Sequence, residues 1–113
     1  MAPHAQPIYE VKANLFRVLG HPARVRILEL LRDGERSVGA LQAELGLDSG
    51  GTSQHLAALK DAGLVNGRRE GRCVYYRVEP RGMKPLIDWI AHYRAFWAER
   101  IDRLERLLEE MDE

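Results

Sequence analysis

A run of hydrogen-bonding side chains and a nearby cluster of arginines are the groups of this sequence that could do chemistry. The run is Thr52–His55, and Arg68, Arg69 and Arg72 follow it at a short distance. Hydroxyl, amide and imidazole groups exchange hydrogen bonds with base edges and phosphates, and guanidinium groups pair with phosphates. Residues of these types in this order predict a surface that contacts double-stranded DNA.

Within the run, Gln54 is the best candidate for reading a base. An amide can form two hydrogen bonds with adenine, which discriminates against other bases by about 1–3 kcal/mol, whereas hydroxyls at a helix start more often hold a phosphate. The competing interpretation is a solvated helix face beside a charged edge strand that resists aggregation. The predicted DNA-binding residues are Ser49, Thr52, Ser53, Gln54, His55, Lys60, Arg68, Arg69 and Arg72.

The formal net charge is zero, so a basic surface must come from segregation of charge along the chain. Residues 48–82 carry six Lys and Arg side chains against four carboxylates, a net charge of +2. Residues 98–113 carry three arginines against seven carboxylates, a net charge of −4. The acidic C-terminal end is therefore predicted to point away from a phosphate backbone.

Hydrophobic spacing predicts one mainly α-helical domain over residues 8–113 behind a disordered tail, residues 1–7. Apolar residues at three- and four-residue spacing indicate a first helix over 8–19 and a long last helix over about 84–111. A proline at position 22 suits the start of a second helix, which ends at Asp33-Gly34.

The polar run is predicted to lie on the second helix of a helix-turn-helix. Ser37 suits the N-cap of a third helix, and Gly46 suits the position after its end. Asp48 or Ser49 can cap a fourth helix over 49–62, with Thr52 and its polar neighbours on the outside.

A basic β-hairpin is predicted to follow the fourth helix. The segments Leu64-Val65 and Val74–Val78 flank a Glu70-Gly71 turn, where Gly71 can supply the positive φ. Tyr75 and Tyr76 should point to opposite faces, one to the core and one to the surface. This hairpin is the wing, residues 66–78, and the predicted fold is a winged helix-turn-helix.

Three stretches together resemble a known family. They read Leu19-Gly20-His21-Pro22-Ala23-Arg24-Val25-Arg26-Ile27-Leu28, then Thr52-Ser53-Gln54-His55-Leu56-Ala57-Ala58-Leu59-Lys60-Asp61-Ala62-Gly63-Leu64-Val65, then Arg68-Arg69-Glu70-Gly71-Arg72-Cys73-Val74-Tyr75-Tyr76. In these residues the chain is similar to the ArsR/SmtB family of small dimeric bacterial repressors, over roughly Tyr9 to Val78. The resemblance implies a homodimeric repressor that places the fourth helix in the major groove of an inverted-repeat operator.

The last helix carries more apolar surface than a domain of this size can cover, which predicts a dimer formed by the first and last helices. The predicted interface residues are Leu15, Leu19, Ile90, Tyr93, Trp97, Ile101, Leu104 and Leu108. The alternative for the aromatic stretch Trp89–Trp97 is a pocket for a hydrophobic effector.

The input that such a repressor would sense is not evident from the sequence. Members of the family that sense metals carry cysteines in the third helix, and this chain has none there, so it resembles a member without the usual metal-binding cysteines. Asp88, His92, Glu99 and Asp102 do not reproduce the usual ligand arrangement of the last helix, and no metal or other cofactor is predicted. Cys73, the single cysteine, is a candidate redox sensor.

Other classes of protein fit the sequence less well. No paired carboxylates, activated nucleophile or glycine-rich phosphate loop indicates an enzyme. A winged helix used for protein recognition, or a thiol- or metal-responsive variant of the same repressor, remains an alternative. No secretion signal, disulfide pair or long apolar run is present, so a cytoplasmic protein with no membrane role is expected.

Overall fold

Five α-helices and three short strands make up the part of the chain that the structure, a computed structural model, describes, residues 6–112. In chain order these are α1 (Ile8–Leu19), α2 (Pro22–Leu31), β1 (Arg36–Ser37), α3 (Val38–Leu45), α4 (Ser49–Asp61), β2 (Val65–Glu70), β3 (Cys73–Val78) and α5 (Pro80–Met111). The predicted mainly α-helical class, with a hairpin after a helix-turn-helix, is confirmed. Of the tail predicted to be disordered, residues 1–5 lie outside the described residues.

Side-chain caps set where the two helices of the helix-turn-helix begin. The Ser37 Oγ accepts the Ala40 N–H at 3.1 Å at the start of α3, as predicted. The prediction left two residues open as the cap of α4, and the cap is Asp48, whose Oδ1 accepts the Gly51 N–H at 2.7 Å. Between the helices, Gly46 has a φ of 65°, a conformation that glycine adopts without steric cost.

The wing is a two-stranded antiparallel hairpin that is longer than the sequence suggested. Strand β2 pairs with β3 from Val65 opposite Val78 to Glu70 opposite Cys73. The turn consists of Gly71 and Arg72, one residue later than the predicted position, and the expected positive φ at Gly71 is confirmed at 60°. The hairpin register therefore puts the arginine-rich segment at the tip.

A third strand, β1, joins the hairpin to the body of the domain. The sheet order is β1-β3-β2, and Arg36 and Ser37 pair with Tyr76 and Tyr75. The Arg36 Nε donates to the Leu30 carbonyl at 2.8 Å, which fixes β1 to the end of α2. This strand was not predicted, because two residues are too few for an alternating pattern.

The core collects apolar side chains from every helix. It consists of Leu15, Ile27, Leu30, Leu31, Leu41, Leu56, Leu59, Leu64, Val65 and Leu86. Tyr76 packs against this cluster, whereas Tyr75 lies under the Arg68 guanidinium on the surface, so the predicted division between the two tyrosines is confirmed. Along α5, Leu86 is the one buried residue, and the residues of the helix after Leu86 are exposed.

Helix α5 begins at Pro80, four residues before the predicted start, and Pro85 lies inside it. The Glu79 N–H donates to the Leu64 carbonyl at 2.9 Å, which ties the helix start to the turn after α4. One turn on, a Cβ at Gly82 would overlap the carbonyl group of Gly63. The two backbones therefore touch at a point where a side chain has no room. None of the helices in residues 6–112 has both the length and the apolar character to cross a membrane.

We predict that Gly82→Ala lowers the free energy of unfolding by about 1–3 kcal/mol, because backbone rather than a flexible side chain must move. The control is Gly39→Ala on α3, where a Cβ meets open space, and it should leave stability unchanged or raise it by up to about 1 kcal/mol. Urea unfolding at one protein concentration measures both variants. Equal stability of the two would show that the Gly63–Gly82 contact is unimportant.

Candidate nucleic-acid interface

Helix α4 has an outward face that carries polar groups. Ser49, Ser53, Gln54 and Lys60 are exposed, and Ala57 on the same face is small enough to let another molecule approach. The inward face is Thr52, Leu56 and Leu59, none more than 1% exposed. Since the buried row fixes how the helix is rotated, four of the residues predicted for α4 lie together on its accessible side.

Thr52 is a correction to the predicted site. It was expected on the outside, yet its side chain is 0% exposed and its Oγ1 donates to the Asp48 carbonyl at 2.9 Å. Thr52 lies one turn before Leu56, so it shares the buried face. That spacing of four was present in the sequence and could have excluded Thr52 from the outer face.

His55 is half-buried and faces the start of α2. Its Nδ1 accepts a hydrogen bond from the Arg24 Nε at 3.1 Å, and its ring centroid lies 4.3 Å from that of His21. Arg24 also donates through Nη1 to the Val18 carbonyl at 3.2 Å, so one guanidinium joins the end of α1 to α4. The Nδ1 of His55 is thus occupied within the protein. Sequence reasoning missed Arg24, although it lies in the motif that precedes Ile27.

The three arginines of the wing differ in their surroundings. Arg69 and Arg72 are exposed, and within residues 6–112 neither takes part in a salt bridge. Arg68 is bound by two carboxylates, at 2.6 Å from Glu35 and 2.7 Å from Glu70. The hydrogen bonds that Arg68 donates to Glu35, and then to Glu70, raise the pKa of Arg68, and the bond from Arg68 lowers the pKa of Glu35.

A groove of about 710 Å³ separates α4 from the wing. Ser53 and Lys60 of α4 line it, together with Arg72 and Cys73 of the wing and Gly39 near the start of α3. Asp61 is the one acidic residue among those that line it. The structure thus brings exposed hydroxyl, ammonium and guanidinium groups to the two walls of one open channel.

Cys73, the candidate redox sensor, is exposed at the start of β3. Its partner in the hairpin register is Glu70. Within residues 6–112, no group of three or more His, Cys, Asp or Glu side chains is placed to hold a metal ion.

The apolar stripe predicted as a dimer interface is exposed on α5. Ile90, Trp97, Ile101, Leu104 and Leu108 are each more than half exposed, and Tyr93 is 38% exposed. Leu15 was wrongly assigned to this set, because it is 3% exposed and belongs to the subunit's own core. Leu19 is half-buried and packs on the same core.

An aromatic chain joins α1 to α5. The ring of Phe16 meets that of Trp89 edge-on at 5.4 Å, and contacts of 5.2 to 6.3 Å continue through Tyr93 and Phe96 to Trp97. Phe16 was not among the predicted residues, whereas Phe96 lies in the aromatic stretch Trp89–Trp97 that the sequence singled out. Their exposed fractions, 45% and 43%, leave an apolar surface shared between the two helices.

Comparison with known proteins agrees with this geometry. The family model described as "Bacterial regulatory protein, arsR family" matches residues 21–67. The HTH-type transcriptional regulator Rv0081 of Mycobacterium tuberculosis is 47% identical over 84 residues, 74% of each chain. The biofilm growth-associated repressor of Agrobacterium fabrum is 40% identical over 86 residues, 76% of this chain and 72% of the repressor.

Solved structures show the same fold. The crystal structure of M. tuberculosis Rv0081 has a TM-score of 0.64 at 38% identity, covering 86% of this chain and 99% of that chain. The solution structure of the homodimeric winged helix-turn-helix DNA-binding domain Mb0332 from Mycobacterium bovis has a TM-score of 0.63 at 32% identity, covering 82% and 92%.

We predict that protonation of His55 weakens the fold. Burial of the ring, and then His21 and Arg24, lower the pKa of His55 from its ordinary 6.5, so the unfolded chain takes up the proton more readily than the folded one. The contribution of neutral His55 to the free energy of unfolding is present above pH 6.5 and is lost as the pH falls through the lowered pKa of the folded state. Urea unfolding between about pH 8 and about pH 5.5 should show a weaker pH dependence for His55→Gln, whose amide oxygen can still accept from Arg24. The same slope in both proteins would contradict the prediction.

Proposed function

The chain belongs to the ArsR family of bacterial regulatory proteins, and on that premise we propose that it is a homodimeric repressor that binds an inverted-repeat DNA operator. The observation that carries the proposal is the pairing of the outward face of α4 with the tip of the wing across one groove. A recognition helix and a basic hairpin on the two sides of one groove suit a DNA groove and the adjoining phosphates. Its place of action is the bacterial cytoplasm, where the chromosome lies.

The residues of the outward face of α4 and of the wing tip take different parts. Gln54 reads a base through its amide, and Ser49 and Ser53 bond phosphates at the start of the helix. Arg69 and Arg72 hold the sugar-phosphate backbone next to the wing or reach into the minor groove. Thr52, being buried, supports the helix from within and contacts no DNA.

Two copies are required for an inverted repeat, and the exposed stripe of α5 is the surface that a second copy covers. The M. bovis relative is described as homodimeric, which supports the same assembly here. A two-fold axis would set the two α4 helices about 34–36 Å apart, one turn of DNA. A dimer of this kind reads both halves of a palindrome with the same residues.

The competing function is a winged helix that binds another protein. A protein-binding face is enriched in exposed aromatic residues, whereas the α4 face shows Ser53, Gln54 and Lys60. Selection of duplex fragments from a random pool, followed by fluorescence polarisation with the selected and scrambled sequences, separates the two functions. Equal affinity for the selected and the scrambled duplexes would refute sequence-specific binding to an operator.

We predict that Gln54→Ala relaxes preference at one base pair at a cost of about 1–3 kcal/mol, since a base-specific amide is lost. Arg69→Ala should instead weaken all sequences alike and reduce the slope of log Kobs against log salt by about one unit. The control is Arg32→Ala, an exposed arginine beyond α2, which should preserve both specificity and slope. Equal loss on specific and random DNA in the Gln54 variant would remove its base-reading role.

We predict that Ile101→Glu converts the dimer to a monomer at micromolar concentration and abolishes operator binding, because a charge would be placed in the apolar stripe. Ala95→Glu is the control, since the helical period puts residue 95 on the opposite side of the exposed helix. Analytical ultracentrifugation gives the mass of each variant. A dimer that persists in Ile101→Glu would show that α5 is not the interface.

A further inference from the structure

Arg68 differs from the other wing arginines in the number of its donors already in use. Its Nε lies 3.0 and 2.9 Å from the two carboxylate oxygens of Glu35, and its Nη2 lies 2.6 Å from the first of them. Its Nη1 donates to Glu70 at 2.7 Å. The guanidinium also lies over the ring of Tyr75, 4.9 Å from the centroid. Donors on all three nitrogens of the guanidinium are thus directed at protein groups.

These bonds join the wing to a different part of the chain. Glu35 lies in the connection between α2 and β1, whereas Arg68 lies in the middle of β2. In the register, Arg68 is opposite Tyr75 on β3, and Tyr75 is opposite Ser37 on β1. The Arg68–Glu35 bond therefore crosses the middle strand and connects the outer edges of the three-stranded sheet.

The link matters because β1 gives the hairpin little other support on that side. Only two residues of β1 pair with β3, while β2 and β3 pair over six. The exposed tip, Arg69 to Arg72, lies directly beyond Arg68. The bond between Arg68 and Glu35 thus lies at the base of the exposed tip.

Charge also argues against a phosphate contact by Arg68. The guanidinium is flanked by two carboxylates, so the group of Glu35, Arg68 and Glu70 has a net charge of −1. A phosphate oxygen would have to compete with Glu35 for the same donors. For Arg69 and Arg72, which are exposed and take part in no salt bridge within residues 6–112, a phosphate has no carboxylate to displace.

We propose that Arg68 is a positioning residue: its bond to Glu35 holds the wing at the angle from which Arg69 and Arg72 reach DNA, and Arg68 itself contacts no phosphate. The inference rests on the proposed function for its effect on DNA. The mechanical part, a wing fixed to the α2–β1 connection, stands on the contacts alone.

The decisive variant is Glu35→Gln, for which electrostatics and positioning predict opposite results. Removing a negative charge near a DNA-binding surface should tighten binding if charge alone matters. The variant also removes the ion pair and one of the two acceptor oxygens for Arg68, and the weaker link should reduce operator binding by about two- to fivefold, the range for a well-formed exposed ion pair. The matched control is Glu44→Gln on α3, an exposed carboxylate without a salt bridge in residues 6–112, which should bind as tightly as wild type or tighter.

Arg68→Ala and the double variant complete the test. Arg68→Ala should weaken operator binding as much as Glu35→Gln does, and the double variant should show no added loss. The salt slope of Arg68→Ala should equal that of wild type. The exchanged pair Glu35→Arg with Arg68→Glu should recover part of the affinity. A slope reduced by about one unit in Arg68→Ala, or tighter binding by Glu35→Gln, would overturn the proposal.

Hydrogen exchange of the full-length protein without DNA separates this proposal from the proposed function. Both single variants should speed amide exchange in residues 65–78 and leave α2 and α4 as in wild type. If wild type binds no duplex, the repressor function fails while faster exchange still supports the link. Unchanged exchange in both variants would refute the link itself.

Discussion

The rotation of α4 about its own axis is the constraint on which the candidate interface depends. Thr52, Leu56 and Leu59 form a single buried row, and the Oγ1 of Thr52 is bonded back to the Asp48 carbonyl. These three side chains cannot leave the core without loss of packing, so their burial fixes which side of α4 faces outward. Ser53 and Gln54 are exposed because Thr52, Leu56 and Leu59 occupy the inward face. The hydroxyl within this row is tolerated because it has a partner inside its own helix.

The neighbouring elements fix the remaining freedoms of the helix. Arg24 connects His55 to the Val18 carbonyl, which ties the middle of α4 to the junction of α1 and α2. The contact between Gly63 and Gly82 brings the end of α4 against the start of α5. The end of α4 and the start of α5 therefore meet through backbone atoms, without any flexible side chain between them.

The sequence was sufficient for the order of the five helices and the hairpin and for the cap of α3, because these depend on local residue types. Ser37, Gly46 and Gly71 act as their chemistry predicts. The start of α5 was not predictable in this way. Pro80 and Pro85 each suit the first turn of a helix, so the local sequence offers two starts, and the structure uses the earlier one, where the Glu79 N–H bonds the Leu64 carbonyl.

The candidate site was predicted less completely than the fold, for a related reason. Residue type identified the polar run, but burial of Thr52 and capture of Arg68 by Glu35 depend on neighbours far along the chain or on the opposite side of the helix. Arg68 and Arg69 are adjacent and chemically identical, yet the pleat of β2 sends them to different surroundings. Leu15 fits the spacing of a dimer interface equally well, and only packing in three dimensions assigns it to the core.

The exposed length of α5 has a consequence for how the protein behaves at low abundance. The helix has 32 residues, about 48 Å at 1.5 Å each, and past Leu86 its apolar side chains meet water in a single subunit. A lone subunit would carry a hydrophobic ridge that favours nonspecific adhesion. Covering that ridge links folding to association, so the midpoint of thermal melting should rise with the amount of protein present. At low protein concentration the dimer would then dissociate and lose DNA binding before any effector acted on it.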